Sequence, residues 1–349
     1  MPDARHVGLV LAPRGAGMDA IGDYTRLLVS ALRQKNVEAD LLEWRADDVN
    51  GDLGALVIQY NPFSFGHWGF APRLPLFLAR LRRRRRRPRI AVMFHETYVD
   101  MRSPSWALMG SWQRVQLVAV QAGADIQFCS IQRWTERLRR TALGRPVHHL
   151  PVPSILPDAR AEREHARRRI GADPDTFVLG CLGLRHPGRL PGHVLAAARA
   201  ARAAGWPAVL VLDLGPGEPS EQMPASHVRL RSTGFLGARD LASHIAAADV
   251  FLAPYMDGVS TRRGSMMAAL QHGVPVVGTH GHLTDDVLRD AACLTLVPVN
   301  GSSGYAQAVA ALATDSARRA ELGAAGRRMY EHHFDWPVHV DRLRKPLDV

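Results

Sequence analysis

Short apolar runs alternate along this chain with stretches in which apolar residues recur every three or four positions, the signature of strands interleaved with amphipathic helices. In the first half, His6 to Pro13, Val37 to Leu42, Leu53 to Gln59, Ile90 to Phe94 and Asp125 to Ser130 read as buried strands. Between them, a helix from Asp19 or Gly22 to Gln34 places Tyr24, Leu27, Leu28 and Leu32 on one face. Trp112 to Ala122 and Ile131 to Thr141 give two more helices. His148 to Pro157 holds three prolines without helical period and reads as an extended crossing, followed by a charged helix over Asp158 to Ile170.

The alternation then restarts. Strands are predicted at Phe177 to Gly183, Ala208 to Leu214, His227 to Leu230, Asp249 to Pro254, Val274 to Gly278 and Leu294 to Val299. Helices are predicted at His193 to Ala204, Leu241 to Ala248, Thr261 to His272, Tyr305 to Thr314 and Asp315 to Phe334, with Trp336-Pro337 expected to break the last one. Two successive strand-helix series, each opening with strand, glycine loop and helix, predict two Rossmann-like domains with parallel sheets facing a central cleft. The expected division is residues 1–150 as an acceptor-side domain and 151–158 as the crossing. Residues 159–334 would bind the donor, and 335–349 would return to the first domain.

The sharpest local chemistry lies between Asp249 and Thr279. A strand closed by Pro254 opens into the loop Tyr255 to Ser260, and a helix follows. Gly258 would let the backbone approach a ligand, and Ser260 or Thr261 would cap the helix so that its first amides face the crevice. Arg262 and Arg263 stand at that same positive helix end, which suggests a phosphate or diphosphate seat; a solvated arginine pair is the competing reading. In the first domain, Ile90 to Phe94 delivers His95 and Glu96 to the C-terminal mouth of the sheet, where a histidine can exchange hydrogen bonds near neutral pH.

Composition narrows the class. With 349 residues, 46% apolar and 22% charged, the chain is long enough for two globular domains. No apolar run nears the length of a membrane span, and Met1 to Val10 lacks the apolar centre of a signal peptide, so a cytoplasmic location is expected. Cys129, Cys181 and Cys293 lie in apolar runs, read as buried thiols and offer no metal spacing. The net charge of +11 favours anionic partners. Six arginines, Arg82 to Arg87, follow the apolar Leu74 to Leu81, so this segment is either an interfacial helix docking on an anionic leaflet or a solvated helix end. Basic residues are not interleaved with aromatics as nucleic-acid binding would need.

Several segments in order resemble a GT-B glycosyltransferase, most closely the family 4 group of retaining, nucleotide-sugar-dependent enzymes. They are Ile21 to Thr25, Phe94-His95-Glu96, Gly183 with Arg185 and Arg189, Thr233 to Leu236, Ala248 to Pro254, Gly273 to Val277 and Ala325 to Trp336. The resemblance implies a hexosyl transfer from a nucleotide-diphosphate sugar to a hydroxyl acceptor, in envelope glycan or natural-product synthesis, without metal or other cofactor. It implies that Arg185 and Arg189 clamp the diphosphate, that His95 meets the transferred sugar, and that Phe235 and Leu236 lie beside the base. Gly22 and the loop from Asp257 through Gly258, Val259, Ser260 and Thr261 to Arg262 would complete the donor site, with Tyr24 and Glu96 on the acceptor side. One departure stands out. Where the family places two glutamates, this chain has Ser260 and Ala268; Asp257 could replace the first but nothing replaces the second. A non-catalytic relative that partners an active transferase is therefore the alternative.

Overall fold

A computed structural model describes residues 3–12, 19–44, 53–99 and 103–349. The chain divides into two compact units, Met1–Pro151 with Trp336–Val349, and Val152–Asp335.

In unit 1, β1 (Asp3–Leu11), α1 (Ala20–Gln34), β2 (Glu38–Glu43), β3 (Leu53–Tyr60), α2 (Arg73–Arg82) and β4 (Arg89–Phe94) come first. They are followed by α3 (Pro104–Gly123), β5 (Ile126–Cys129), α4 (Gln132–Arg139) and β6 (Val147–His149). The six strands form one parallel sheet in the order β2-β1-β3-β4-β5-β6. Strands β3 and β4 are apolar on both faces because helices cover both sides. Leu74, Phe77, Leu78 and Leu81 of α2 are buried in that core with Ile58, Tyr60 and Phe94. This corrects the interfacial-helix reading: the apolar face of α2 is consumed by the protein itself. The helix stops at Arg82, and Arg82 and Arg87 both pair with Asp125, at 2.7 and 2.5 Å, which leaves Arg83 to Arg86 exposed.

Unit 2 contains α5 (Arg163–Arg169), β7 (Thr176–Leu182), α6 (Pro191–Ala203), β8 (Ala208–Leu214), β9 (Ser220–Ala225), β10 (Val228–Ser232) and α7 (Ala238–Ala247). Then come β11 (Val250–Ala253), α8 (Gly264–Gln271), β12 (Val276–His280), α9 (Asp286–Arg289), β13 (Leu294–Pro298), α10 (Ser302–Thr314) and α11 (Ser316–His333). Its sheet runs β13-β12-β11-β7-β8-β10-β9 and is parallel except for β9, an antiparallel edge strand that hydrophobic pattern could not reveal because its residues are polar and half exposed. Strand order reverses between β7 and β11, so the crevice beyond their C-terminal ends is the topological switch point of this unit.

The chain then enters α12 (Trp336–Leu347), which belongs to unit 1. Pro337 was expected to break structure here. It sits instead in the first turn, where proline's missing N–H costs nothing, and it opens a new helix. Tyr24 on α1 donates its hydroxyl to Nε2 of His339 on α12 at 2.7 Å, while Nδ1 of His339 donates to the Pro151 carbonyl at 2.9 Å. The tautomer is thereby fixed.

Candidate functional site

The switch point of unit 2 is built by two loops that pair with each other. The loop after β7 turns at Gly183, whose φ of +67° an L side chain would resist, and its amide donates to Leu214 O at 2.7 Å. Asp213, buried at the end of β8, accepts from the Leu184 amide at 2.8 Å and braces this turn. Further on, the Leu190 amide donates to Pro254 O and the Met256 amide to Gly188 O, which locks the β7 loop to the β11 loop.

Arg189 is set into that lock. Its Nε and Nη2 donate to Leu182 O at 3.0 and 2.9 Å, and its guanidinium carbon lies 4.1 Å from the ring centroid of Tyr255. A second guanidinium, that of Arg263, stands 4.4 Å from the same centroid. Tyr255 is buried, and its hydroxyl meets Ser265 Oγ at 2.8 Å. Burial lowers the pKa of Arg189, as expected of a cation withdrawn from water. Its Nη1 and the Nε of Arg263 are buried donors without a hydrogen-bond acceptor in the structure. Arg185, exposed on the same loop, reaches toward β9, 3.5 Å from Ser220 Oγ, and among the described contacts is not joined to the other arginines.

Asp257 bridges the arginine pair, 3.0 Å from Arg262 and 2.7 Å from Arg263. Burial would raise its carboxyl pKa, but Arg263 and Arg262 outweigh that and hold it below the usual range. The expected sugar contact is thus a counter-ion that orients the two guanidiniums and leaves the cluster of Arg189, Arg262 and Arg263 net positive.

Other parts of the loop differ from expectation. Helix α8 starts at Gly264, three residues late, with Arg263 in the capping position. Thr261 does not cap it. Its amide and hydroxyl both donate to Asp285, at 2.6 and 2.8 Å, a buried carboxylate 24 residues away that no local pattern announced. The Ser260 hydroxyl is buried without a partner, and the Val259 amide donates to Thr279 O at 2.8 Å. The Val259 and Thr261 amides are therefore spent inside the protein and do not point at a ligand. Gly258, at φ +86°, is required because a Cβ there would stand 2.3 Å from the Gly281 amide nitrogen: it serves loop against loop. Ala268 is buried in the core of unit 2. Phe235 is exposed, whereas Leu236 packs partly against that core.

In unit 1, the Arg14 to Gly17 loop lies outside the described residues. Gly22 is in the first turn of α1, where its amide donates to the Asp19 carboxylate cap at 2.8 Å and a Cβ would collide with that carboxylate. Tyr24 is fully buried, bound to His339 and edge-on to His95 at 5.1 Å, so it braces the site and cannot touch an acceptor. His95 follows β4, half-buried, with Nε2 2.8 Å from Gln59 Oε1, and burial pushes its pKa down to about 4. It is neutral at physiological pH. Glu96, partly exposed, is next to it. Among the described residues no group of three or more His, Cys, Asp or Glu is placed to hold a metal ion.

Two parallel-sheet units, the second with a cationic switch-point crevice, define a GT-B glycosyltransferase fold. Residues 179–315 match the family model described as "Glycosyl transferases group 1". It is 26% identical over 265 residues to a GDP-mannose-dependent monoacylated alpha-(1-6)-phosphatidylinositol monomannoside mannosyltransferase of Corynebacterium glutamicum. That match covers 69% of this chain and 66%, just under two thirds, of the relative. A phosphatidyl-myo-inositol mannosyltransferase of Mycobacterium leprae is 30% identical over 144 residues, 40% of this chain and 38% of that protein. Among solved structures, sucrose-phosphate synthase from Thermosynechococcus elongatus aligns at a TM-score of 0.70 with 15% identity, covering 98% of each chain. WaaG, a glycosyltransferase involved in lipopolysaccharide biosynthesis, aligns at 0.65 with 14% identity and the same coverage.

Proposed function

We propose that this chain transfers a sugar from a nucleotide-diphosphate donor to a hydroxyl of a lipid-linked envelope acceptor, with retention of anomeric configuration. The observation that carries the reading is Arg189: a half-buried guanidinium, held by Leu182 and Tyr255, whose buried Nη1 is an unsatisfied donor at the switch point beside Arg263. A diphosphate supplies the missing acceptors, and as it departs it gathers charge that these cations stabilise. Arg185, exposed on the loop that carries Arg189, would close over the same group. In unit 1, the neutral imidazole of His95 would meet a hydroxyl of the transferred sugar. Phe235, exposed beside the loop at 233–237, offers a surface for the base.

The two mannosyltransferase relatives make GDP-mannose and a phosphatidylinositol-based acceptor the first substrates to try. A donor screen read by mass spectrometry of released nucleotide tests transfer, and proton NMR of the product's anomeric signal tests retention. A second reading is favoured by Ser260 and Ala268, which stand where the resembling family carries carboxylates: a relative that binds without catalysing. Calorimetric titration with nucleotide sugars separates the two, because donor binding without turnover supports only the second.

A further inference from the structure

The starts of β4, β5 and β6 and the last turns of α12 enclose a cavity of about 520 Å³, all of it within unit 1. Arg89, Ile126 and His148 share one face of the sheet, because Ala91, two residues after Arg89, is in register with Ile126, and Phe128 with His148. Helix α12 contributes Arg342, Lys345 and Pro346, which at spacings of three and four residues lie on one side of the helix. His95 follows the opposite end of β4, so six extended residues, about 20 Å, separate it from Arg89. The cavity is therefore no part of the mouth at which His95 stands.

Its charge is one-sided. Arg89, Arg342 and Lys345 line it together with His148 and His149, and among the described residues no carboxylate does. The acids beside it on the same elements are engaged elsewhere. Asp125, next to Ile126, takes Arg82, Arg87 and the Ile90 amide, and Asp341, next to Arg342, takes Lys35 and Arg344. Burial and the nearby Arg139 push the pKa of His148 below its ordinary value, so its imidazole is neutral and adds a hydrogen-bonding group without adding repulsion. The negative end of α12 offsets part of the charge on Lys345, but Arg342, a turn earlier, and Arg89, on the sheet, gain little from it. Ile126, Pro146 and Pro346 supply the apolar remainder of the wall.

We propose that this cavity binds a soluble phosphate ester with a flat ring in its body, of the size of a nucleoside monophosphate. A phosphate monoester carries nearly two negative charges at neutral pH, enough to be shared between the guanidinium forks of Arg89 and Arg342 and the ammonium of Lys345. The ring lies on the proline and isoleucine surfaces. A volume of about 520 Å³ is that of a small-molecule pocket, and a bare inorganic ion would leave most of it empty. Such a ligand ties α12 to the sheet by joining Arg342 and Lys345 to Arg89. His339 on that helix accepts from Tyr24 at 2.7 Å, so occupancy also holds the α1–α12 contact closed. The site stands apart from sugar transfer: neither donor nor acceptor is needed to fill it.

The test is calorimetric titration of the Arg189→Ala chain, in which the cationic crevice of unit 2 is disabled, with adenosine 5′-monophosphate, adenosine and inorganic phosphate. Saturable binding of the monophosphate, at least tenfold tighter than that of adenosine or inorganic phosphate, supports the proposal. Adding Arg342→Gln/Lys345→Gln should weaken it at least tenfold. Both positions are exposed, so the thermal midpoint of the ligand-free chain should hold. Arg89→Gln, on the sheet side, should give a similar loss without altering the helix. Hydrogen exchange with the monophosphate bound should show protection of α12 and β6. Four results would overturn it: no binding of the monophosphate by the Arg189→Ala chain, equal affinity in the folded glutamine variants, adenosine or inorganic phosphate binding as tightly as the monophosphate, or protection confined to the loop after β7.

Discussion

The guanidinium of Arg189 lies 4.1 Å from the ring centroid of Tyr255, and the same two residues are joined as an antiparallel backbone bridge. Side chain and main chain thus fix one another across the switch point, so the cation is already in place before any ligand arrives. Preorganisation of that kind is what makes a positive charge effective on a leaving diphosphate. Arg189→Ala is expected to cut turnover by about 100- to 1000-fold. Arg189→Lys should recover only part of it, since an ammonium cannot hold Leu182 O through two donors and stack on the ring as well. Steady-state kinetics with a donor found by the nucleotide screen decide this, and wild-type rates in the alanine variant would remove Arg189 from the mechanism.

Tyr255 gives an independent reading of the same geometry. Tyr255→Phe keeps the ring and loses only the contact with Ser265, so activity should stay within a few-fold of the original. Tyr255→Leu removes the surface that both Arg189 and Arg263 lie on. It should weaken binding of nucleoside diphosphate in calorimetry by about tenfold, the scale of a desolvated cation–π contact.

Asp257 should oppose anion binding while stabilising the loop. Asp257→Asn removes the counter-charge of Arg262 and Arg263, so diphosphate affinity is expected to rise and to become more sensitive to salt. The stability effect has the opposite sign. A carboxyl whose pKa is lowered on folding contributes stability above its unfolded pKa of about 4 and loses it as the pH falls below that. Thermal midpoints between pH 6 and pH 3 should therefore decline less steeply in the asparagine variant. A parallel decline would show that the ion pair adds nothing to the fold.

The alternation of strands and helices was readable from periodicity because both sheets are covered on two sides, so every central strand is a nearly unbroken apolar run. What escaped was everything decided by distant partners. Thr261 looks like a helix cap, but Asp285 takes both of its donors and moves the helix start to Gly264. Gly258 looks like a ligand-facing glycine, and it is the Gly281 backbone that excludes a side chain. Strand β9 hides among polar edge residues, and Pro337 breaks one helix only by beginning another. The arginines at the crevice were legible as charge; their orientation by Tyr255, Leu182 and Asp257 was not, since no spacing rule encodes it.

Gly258→Ala separates the structural role of that glycine from a ligand role. The new Cβ would meet the Gly281 nitrogen and Thr284 Oγ1, each at 2.3 Å, at a φ of +86°. Backbone cannot yield as a side chain can, so a loss of about 2 to 4 kcal/mol is expected in denaturant unfolding even without ligand. If stability is retained and only donor binding falls, the glycine faces the ligand after all.

His95 and His339 make unit 1 sensitive to mild acid. Burial lowers the first to about 4 and the second to about 3, whereas both titrate near 6.5 once the chain unfolds. The unfolded state therefore takes up protons that the folded state refuses. Stability is complete above about pH 6.5 and falls as the pH drops through the window toward 4 and then 3. The loss should fall on the α1–α12 contact, because a protonated His339 can no longer accept from Tyr24 while Nδ1 stays bound to Pro151 O. Hydrogen exchange at pH 5 should accordingly show α1 and α12 opening before the strands of unit 2. His339→Gln, which cannot take up the proton, should flatten the dependence of the thermal midpoint between pH 6.5 and 4.5 even if it lowers the midpoint throughout. An unchanged slope in that variant would place the acid sensitivity on other groups.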